Sequence, residues 1–385
     1  MAKWRTLNRI YEIYTSDLSM KDVQKLIKRD APEVYDFYVR RMKTPVGGRN
    51  SIERTFLFLR NLFIEFLLKM SPARRLFYSL ALLFFIAGWL TGLWNWAVLG
   101  FFMVNLLIAF ELADKLTAKD ELAVAREIQT SLMPKQAPEM SLFDIACYSE
   151  PAREVGGDYY DFICPETQKD KMYIVIGDIS GKGMGAALYM VQVQAILRYL
   201  SNTCFSPRSI LSALNKSLQE ILRPDSFFTV SMAAVEKNKC EVLLSRAGHT
   251  PLIRYRAEIS KAENVIPVGL GVGLRDGGIF DKVLEEITIP TEPGDVLVFY
   301  TDGLTEAMDS RKNFFGEESL KRIVEKYAHL SAAAIQENII RELETFRDSA
   351  LPGDDMTMVI MKRISAVSPV NAVSPVNAED TAVVI

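Results

Sequence analysis

Four aspartates in this sequence stand beside a glycine at the edge of a predicted strand. They are Asp158, Asp178, Asp302 and Asp354. Carboxylates that converge repel one another unless a cation neutralises them. Oxygen ligands without His or Cys select hard ions such as Mg²⁺ or Mn²⁺, and two such ions can deprotonate a bridging water. A single Asp-Gly pair is more often a turn, so the prediction of a metal site depends on its recurrence at successive strand ends.

Three other motifs lie among these aspartates, and each lacks a part that its chemistry requires. Residues 181–186 fit a dinucleotide fingerprint, but no acidic residue follows at the expected distance of about 20 residues. Residues 177–182 are one residue short of a nucleotide P-loop. Cys147 and Arg153 have the spacing of a cysteine-dependent phosphatase loop, but Glu150 would put a carboxylate into an anion cradle. We therefore reject all three, and we expect Cys147 to be a buried strand cysteine.

The composition limits the class of protein further. A chain of 385 residues is long enough for two or three folded units, and 49% hydrophobic with 24% charged residues excludes a fully disordered or disulfide-stapled chain. Four widely spaced cysteines and two histidines offer too few ligands for zinc. His249 has no Gly-x-Ser-x-Gly motif to serve as a general base, so we interpret it as structural.

An uncharged, strongly apolar stretch of 35 residues runs from position 76 to position 110. A membrane-spanning helix needs about 20 such residues, so the stretch is long for one helix and short for two. Trp89, Trp94 and Trp96 surround turn-compatible residues in its middle, as expected at a membrane interface. We interpret 76–110 as a transmembrane helical hairpin whose basic flanks place both ends in the cytoplasm. A single tilted helix and a buried hairpin of a soluble protein are the alternatives.

The segments beside the hairpin carry different signals. Residues 1–75 hold sixteen Lys and Arg against eight Asp and Glu, which suits an anionic membrane face or nucleic acid. The acidic remainder argues against nucleic acid, and no apolar segment near Met1 predicts a cleavable signal peptide. The amphipathic pattern of 51–70 fits either the membrane interface or packing on protein. Residues 111–134 predict a linker helix that either docks on the next domain or forms a dimer, with an apolar stripe at Leu112, Leu116, Val124, Ile128 and Leu132.

From residue 143 onward the pattern changes to short apolar strands with helices placed among them. Predicted strands cover 172–176, 227–235, 241–246, 283–289, 296–300 and 356–361, and predicted helices cover 186–200, 207–222, 317–327 and 331–346. Strands outnumber helices and the helices come in pairs, which indicates a layered α+β domain. The last segment, 365–385, repeats Ala-Val-Ser-Pro-Val-Asn and reads as a disordered tail.

The motifs in their order resemble the metal-dependent protein phosphatases of the PPM family, in particular the bacterial SpoIIE/RsbU branch. The resemblance covers about residues 121–363. Its elements are AREIQ at 125–129, LMP at 132–134, PAREVGGDYYD at 151–161, GDISGKG at 177–183, AGH at 247–249, YTDGLTEA at 300–307 and GDDMT at 353–357.

The resemblance implies an αββα four-layer sandwich over 135–364, with two Mn²⁺ or Mg²⁺ ions at one edge. Asp158, Asp178, Asp302 and Asp354 match the metal-ligand positions, together with the carbonyl of Ile179; Asp355 is the alternative to Asp354, and Asp158 and Asp178 are also the expected catalytic carboxylates. Arg153 occupies the place of a phosphate clamp, although a surface arginine is the alternative. Ser180 stands where many members have a histidine, so the general acid is unassigned.

The function implied is a membrane-anchored serine/threonine phosphatase, multi-pass in the inner (cytoplasmic) membrane, with its catalytic domain in the cytoplasm. Its expected substrate is a phosphorylated regulatory protein of the STAS, anti-sigma-antagonist type. Membrane lipid and a second copy joined through the linker helix are the other expected partners, and nucleic acid is not one. A catalytically silent binding module on the phosphatase fold and a metal-dependent cyclase or nucleotidase are the alternative functions.

Overall fold

The computed structural model describes residues 51–365 except 153, 182, 275–277, 349 and 351. The chain divides into two compact units, Met1–Thr117 and Ala118–Ile385. The predictions for residues 1–50 and for the tail from 366 lie outside the described residues.

Three helices begin in the described part of the first unit, and the last of them continues into the second unit. They are α1 (Ser51–Lys69), α2 (Pro72–Thr91) and α3 (Trp94–Leu132). Ser71 caps α2 by accepting from the N–H of Arg74, and Gly92 ends that helix in a left-handed conformation with φ of 72°. Helices α2 and α3 are long and apolar enough to cross a membrane, by length and composition only. The predicted break in the middle of the apolar stretch is therefore present.

Close packing holds α2 and α3 together as a hairpin. A Cβ at Gly88 would overlap the backbone of Ala97, and one at Gly100 would lie 2.6 Å from the carbonyl oxygen of Ala81. Near the open end of the hairpin, Arg74 forms ion pairs with Glu111, at 3.0 Å, and with Asp114. Small residues permit the close approach, as is common between membrane helices.

The linker helix predicted over 111–134 is not a separate element. Helix α3 runs without interruption for 39 residues, from Trp94 to Leu132. After Gly100 the sequence has no Gly or Pro before Pro134, and it is rich in Ala, Leu, Glu and Lys, so nothing breaks the helix where the apolar stretch ends. The apolar residues Leu112, Leu116, Val124 and Ile128 of the predicted stripe are exposed in the single chain.

Two five-stranded antiparallel sheets form the centre of the second unit. The strands are β1 (Phe143–Glu150), β2 (Asp158–Ile163), β3 (Lys171–Ile179), β4 (Phe228–Glu236), β5 (Glu241–Ala247), β6 (Leu252–Arg256), β7 (Lys261–Val265), β8 (Ile287–Pro290), β9 (Val296–Tyr300) and β10 (Met356–Arg363). The first sheet has the order β1-β10-β9-β6-β7 and the second has β2-β3-β4-β5-β8. Ile174, Phe299 and Val359 belong to a core cluster that draws side chains from both sheets.

A pair of helices covers the outer face of each sheet. Helices α4 (Met184–Thr203) and α5 (Pro207–Ile221) pack on the second sheet through a core that includes Met190, Leu214 and Val175. On the first sheet lie α8 (Glu317–Tyr327) and α9 (Ala332–Arg347), and the short helices α6 (Phe280–Val283) and α7 (Asp302–Thr305) lie in the connections. The predicted αββα sandwich is confirmed.

The structure differs from the sequence prediction at several strands. The strand predicted to start at residue 283 starts at Ile287, because Phe280–Val283 form a helical turn. Strand β7 escaped prediction because Lys261–Val265 is mostly polar and its pattern is not that of a buried strand. Strand β3 is buried on both faces, which explains the continuous apolar run that made it easy to predict.

Candidate metal-binding site

Asp158 and Asp178 lie opposite each other at the same end of two paired strands. Asp158 is the first residue of β2 and Asp178 is the second-last residue of β3, and the antiparallel register pairs them directly. Asp158 is only 4% exposed. Directly opposed residues in an antiparallel pair have Cβ atoms about 4.5–5.5 Å apart, so the two carboxylates share one local environment.

Gly157 leaves room for oxygen atoms beside this pair. A Cβ at Gly157 would lie 2.9 Å from Oδ1 of Asp178 and 2.9 Å from the carbonyl oxygen of Ile179. Both oxygens therefore face the same small space, and any larger residue at position 157 would enter it. The N–H of Ile179 donates to the carbonyl of Gly157 at 3.3 Å, which fixes the separation of the two segments.

Burial and like charge make the ionised form of Asp158 unfavourable. Burial, followed by the negative charge of Asp178, raises the pKa of Asp158 well above its ordinary value. The Thr301 hydroxyl donates to Oδ2 of Asp158 at 2.7 Å and acts in the opposite direction. A divalent cation between the carboxylates would remove the repulsion, and carboxylate and carbonyl oxygens are the ligands that Mg²⁺ and Mn²⁺ prefer. The donor set at this position therefore fits a hard divalent cation.

The segments that carry Asp302 and Asp354 also lie against each other. A Cβ at Gly303 would overlap the carbonyl oxygen of Asp355, so only glycine permits this approach. The N–H of Thr301 donates to the carbonyl of Thr357 at 2.9 Å, which ties the two segments together. Through its bond to Asp158, Thr301 joins them to the end of β2.

Asp355 holds the loop before β2 in place by two hydrogen bonds. Its Oδ1 accepts from the N–H of Ala152 at 2.8 Å, and its Oδ2 accepts from the N–H of Gly157 at 2.7 Å. Both oxygens of Asp355 therefore hold backbone groups of the loop that leads to Asp158, while Oδ1 of Asp354 accepts from the N–H of Asp355 at 3.1 Å.

The complete four-aspartate centre stays a prediction. Among the residues that the structure describes, no three His, Cys, Asp or Glu side chains come close enough together to hold a metal ion. The structure pairs Asp158 with Asp178 directly, and it brings Asp302 and Asp354 to the same region through backbone contacts of their neighbours. Arg153, the predicted phosphate clamp, lies outside the described residues.

Two residues weighed in the sequence analysis have structural roles. The hydroxyl of Ser180 accepts from the N–H of Phe227 at 2.8 Å, so it holds the turn after β3. Cys147 lies in β1 as predicted, but it is half-buried rather than fully buried. Its partial burial raises the pKa of the thiol, which is unfavourable for a nucleophilic thiolate.

His249 is buried behind the acidic pair, as its structural interpretation requires. Its Nδ1 lies 3.0 Å from the hydroxyl of Thr229, which also lies 3.4 Å from the carbonyl oxygen of Asp178. Burial, with the nearby charge of Arg246, lowers the pKa of His249 to about 3. The imidazole is therefore neutral at physiological pH.

Sequence reasoning missed the polar residues that support the site. Thr301 was seen only as part of a motif, and Gln129 only as part of the AREIQ sequence, yet both side chains are buried and hydrogen-bonded to residues of this region. Only Thr301 could have been singled out from the sequence, because it is a polar residue directly after a strand of apolar residues.

Comparison with known families and proteins identifies the family of this chain. Residues 168–364 match the family described as stage II sporulation protein E (SpoIIE). The chain is 29% identical over 248 residues to phosphoserine phosphatase RsbU of Bacillus subtilis, covering 64% of this chain and 70% of RsbU. It is also 29% identical over 289 residues to protein IcfG of Synechocystis, covering 68% of this chain but only 44% of IcfG.

Solved structures share the fold of the second unit. The RsbU and RsbW domains of Rv1364c from Mycobacterium tuberculosis align with a TM-score of 0.52 and 24% identity, over 62% of this chain and 64% of that one. The SiaA-PP2C domain of Pseudomonas aeruginosa aligns with a TM-score of 0.55 and 19% identity, over 66% of this chain and 99% of that domain. At this identity the similarity establishes the fold.

Proposed function

The chain belongs to the SpoIIE family of PP2C-type protein serine/threonine phosphatases, and from that premise we propose that it is a membrane-anchored, Mn²⁺- or Mg²⁺-dependent enzyme that dephosphorylates a cytoplasmic regulatory protein. The observation that carries the proposal is the direct pairing of Asp158 with Asp178 beside the carbonyl of Ile179. The PP2C family is metal-dependent, and this donor set suits such ions.

In the proposed site, Asp158, Asp178 and the Ile179 carbonyl hold the divalent cations, and Asp302 and Asp354 complete the ligand set. Bound divalent ions supply positive charge that promotes the ionisation of water and neutralises phosphate oxygens. The chain's own residues orient this set: Thr301 holds one oxygen of Asp158, and Gly157 keeps the space before Asp178 open.

Substrate phosphate is proposed to contact Arg153, since guanidinium binds phosphate in a bidentate manner. Arg153 follows Ala152, whose N–H is held by Asp355. Ser180 accepts a hydrogen bond from the N–H of Phe227, and water is the proposed proton donor to the leaving group.

Membrane anchoring is proposed for the hairpin of α2 and α3. Both helices have the length and hydropathy to span a bilayer, and large apolar side chains are exposed along them, including Leu83, Phe102 and Ile108. Trp89, Trp94 and Trp96 cluster around the turn, where indole rings suit the membrane interface. The Arg74 ion pairs with Glu111 and Asp114 lie at the opposite end of the hairpin, which we propose to be its cytoplasmic end.

The substrate is proposed to be a phosphorylated protein of the STAS, anti-sigma-antagonist type. RsbU of Bacillus subtilis is named a phosphoserine phosphatase, and the mycobacterial protein has RsbU and RsbW domains in one structure. Both relatives support a regulatory phosphoprotein as the substrate class. A homodimer through α3 is proposed from its exposed apolar stripe at Leu112, Leu116, Val124 and Ile128.

Phosphate release by the full-length protein in detergent tests the activity. The substrates are a phosphoserine peptide, a phosphothreonine peptide and a nucleoside triphosphate, each with Mn²⁺, with Mg²⁺ and with chelator. We expect metal-dependent release from the peptides and none from the nucleotide, and we expect Asp302→Asn to lose it. Equal peptide hydrolysis in chelator would contradict the metal site, whereas preferred turnover of the nucleotide would favour a nucleotidase.

Cysteine labelling tests the membrane topology. In a variant that lacks the four native cysteines, Leu93→Cys at the turn is expected to react with a membrane-impermeant maleimide from outside intact cells. A cysteine restored at the exposed position Cys164 is expected to react only after lysis. Labelling of both or neither from outside would reject the proposed topology.

A further inference from the structure

The side chain of Gln129 joins the end of helix α3 to the segment that leads into Asp158. Gln129 is 5% exposed and lies three residues before the helix ends at Leu132. Its Nε2 donates to the carbonyl oxygen of Gly156 at 2.7 Å, and its Oε1 accepts from the N–H of Gly156 at 3.2 Å. One amide therefore holds both backbone polar groups of Gly156.

Asp355 closes the opposite side of the same segment. A Cβ at Gly156 would lie 2.5 Å from Oδ2 of Asp355, and the N–H of Gly157 donates to that oxygen. Gly157 in turn lies against Asp178. Gly156 and Gly157 are therefore confined between Gln129 on one side and two carboxylates on the other, and a displacement of Gly156 would be passed on to Asp158.

The end of α3 belongs to the second unit and is fixed there by further hydrogen bonds. Nε2 of Gln194 on α4 donates to the carbonyl of Leu132 at 2.7 Å, and the hydroxyl of Tyr160 on β2 donates to the carbonyl of Pro134 at 2.6 Å. Met133 packs against the core beneath α4 and against the core between the sheets. These contacts fix Gln129 in register with Gly156.

We propose that Gln129 is a positioning residue that holds the Gly156–Gly157 backbone where Asp158 can face Asp178. The affinity of the acidic pair for divalent cations then depends on the last turn of α3. Loss of the amide would leave a buried N–H and a buried carbonyl unpaired, which the segment can relieve only by moving. This proposal rests on the metal-dependent function proposed above, and it assigns Gln129 no contact with substrate or cation.

Two variants and one matched control test it in the full-length protein. Gln129→Met keeps the side-chain volume and loses both hydrogen bonds, whereas Gln129→Glu keeps the acceptor and loses the donor. Glu127→Ala changes an exposed residue of the same helical turn. Mn²⁺ binding is measured by the electron paramagnetic resonance signal of free Mn²⁺, and the half-saturating Mn²⁺ concentration and maximal rate by hydrolysis of a phosphoserine peptide.

We expect Gln129→Met to weaken Mn²⁺ binding by about tenfold, equivalent to about 1.4 kcal/mol, with an equal rise in the half-saturating concentration. The maximal rate at saturating Mn²⁺ should recover most of the wild-type value. Gln129→Glu should weaken binding less than Gln129→Met, and Glu127→Ala should stay within twofold of wild type.

Two results would overturn the positioning role. The first is Mn²⁺ binding by Gln129→Met within twofold of wild type, whether or not its maximal rate falls, and the second is an equal loss of binding in Glu127→Ala. Failure of the proposed function looks different, because a wild type that binds Mn²⁺ but hydrolyses no phosphopeptide would reject the phosphatase activity while the binding comparison still tests Gln129.

Discussion

Strand β2 contains two buried aspartates, three residues apart, whose carboxylates face side chains of different charge. Asp161 is 1% exposed, and both its oxygens bind the guanidinium of Arg198, at 2.9 and 3.2 Å. The Tyr159 hydroxyl also donates to Asp161, at 2.9 Å. Asp158 is 4% exposed, but it faces the carboxylate of Asp178. One carboxylate has a cationic partner in the chain, and the other has a carboxylate opposite it.

The difference separates a carboxylate that is paired within the chain from one that, in the proposed function, binds a divalent cation. Burying a charge is costly unless it is paired, and Arg198 meets that cost at Asp161. At Asp158 the Thr301 hydroxyl meets only part of this cost, and burial together with the charge of Asp178 raises the pKa of the carboxyl. Such uncompensated burial is typical of functional sites.

The largest expected difference concerns activity. Asp158→Asn should lower the rate of phosphopeptide hydrolysis at saturating Mn²⁺ by more than about 100-fold, because it removes a proposed metal ligand. Loss of a residue that only supports a metal ligand typically costs about 10- to 100-fold. Asp161→Asn should stay within about tenfold of wild type. Initial rates of the two full-length variants provide the measurement, and similar rates would erase the distinction between the aspartates.

Metal-linked stability is the second contrast. When free Mn²⁺ is about 100 times its Kd, binding should stabilise the wild type by about 2.7 kcal/mol. Asp161→Asn should retain this stabilisation and Asp158→Asn should lose it, as followed by thermal unfolding with Mn²⁺ and with chelator. A Mn²⁺-dependent rise in the melting temperature of Asp158→Asn equal to that of wild type would argue against a role for Asp158 in binding.

Without metal, in chelator, we expect Asp161→Asn to reduce the free energy of unfolding more than Asp158→Asn does. Asp161→Asn should lower the free energy of unfolding by about 1–3 kcal/mol, because it weakens charge-assisted hydrogen bonds to Arg198. The loss in the free energy of unfolding should be no larger than this, because the Arg198 side chain is 54% exposed and water can solvate its charge. Asp158→Asn should be neutral or stabilising, since it removes repulsion with Asp178. Chemical denaturation measures both, and marked destabilisation by Asp158→Asn would contradict the electrostatic argument.

His249 is a third buried ionisable residue, and burial keeps its imidazole uncharged. Its pKa of about 3 lies below the value of about 6.5 expected in the unfolded chain. The unfolded state therefore binds the proton more readily. The stabilising contribution of neutral His249 is complete above about pH 6.5 and is lost as pH falls toward 3, by up to about 1.4 kcal/mol per pH unit.

Denaturation between pH 7 and pH 4 in chelator tests this dependence. His249→Gln should flatten the fall in stability with acidification, whereas the same change at exposed His329 should leave it as in wild type. An identical slope in wild type and His249→Gln would show that burial does not hold His249 neutral.

The sequence predicted the elements whose cause is local. The strand at Met172–Ile176 and the paired helices follow from apolar runs and helical periodicity, and the Asp-Gly motifs follow from turn chemistry. The hairpin break was visible as Gly92 among tryptophans. The helix predicted over 111–134 is present, but it continues the second helix of the hairpin without a break, because no Gly or Pro stands between Gly100 and Pro134.

The support around the acidic pair could not be predicted, because it depends on long-range register. The facing of Asp158 and Asp178 requires the β2–β3 pairing, and the Thr301 bond to Asp158 spans 143 residues of sequence. The binding of both Asp355 oxygens to the loop before β2 likewise spans about 200 residues. Side-chain hydrogen bonds between segments so distant leave no periodic trace in a single sequence.

The most direct measurement of the central claim is anomalous scattering from Mn²⁺-soaked crystals of the protein. The account predicts a manganese peak within about 2.0–2.6 Å of carboxylate oxygens of both Asp158 and Asp178, and no such peak in Asp178→Asn. A manganese site elsewhere in the second unit, or an unchanged peak in Asp178→Asn, would contradict it.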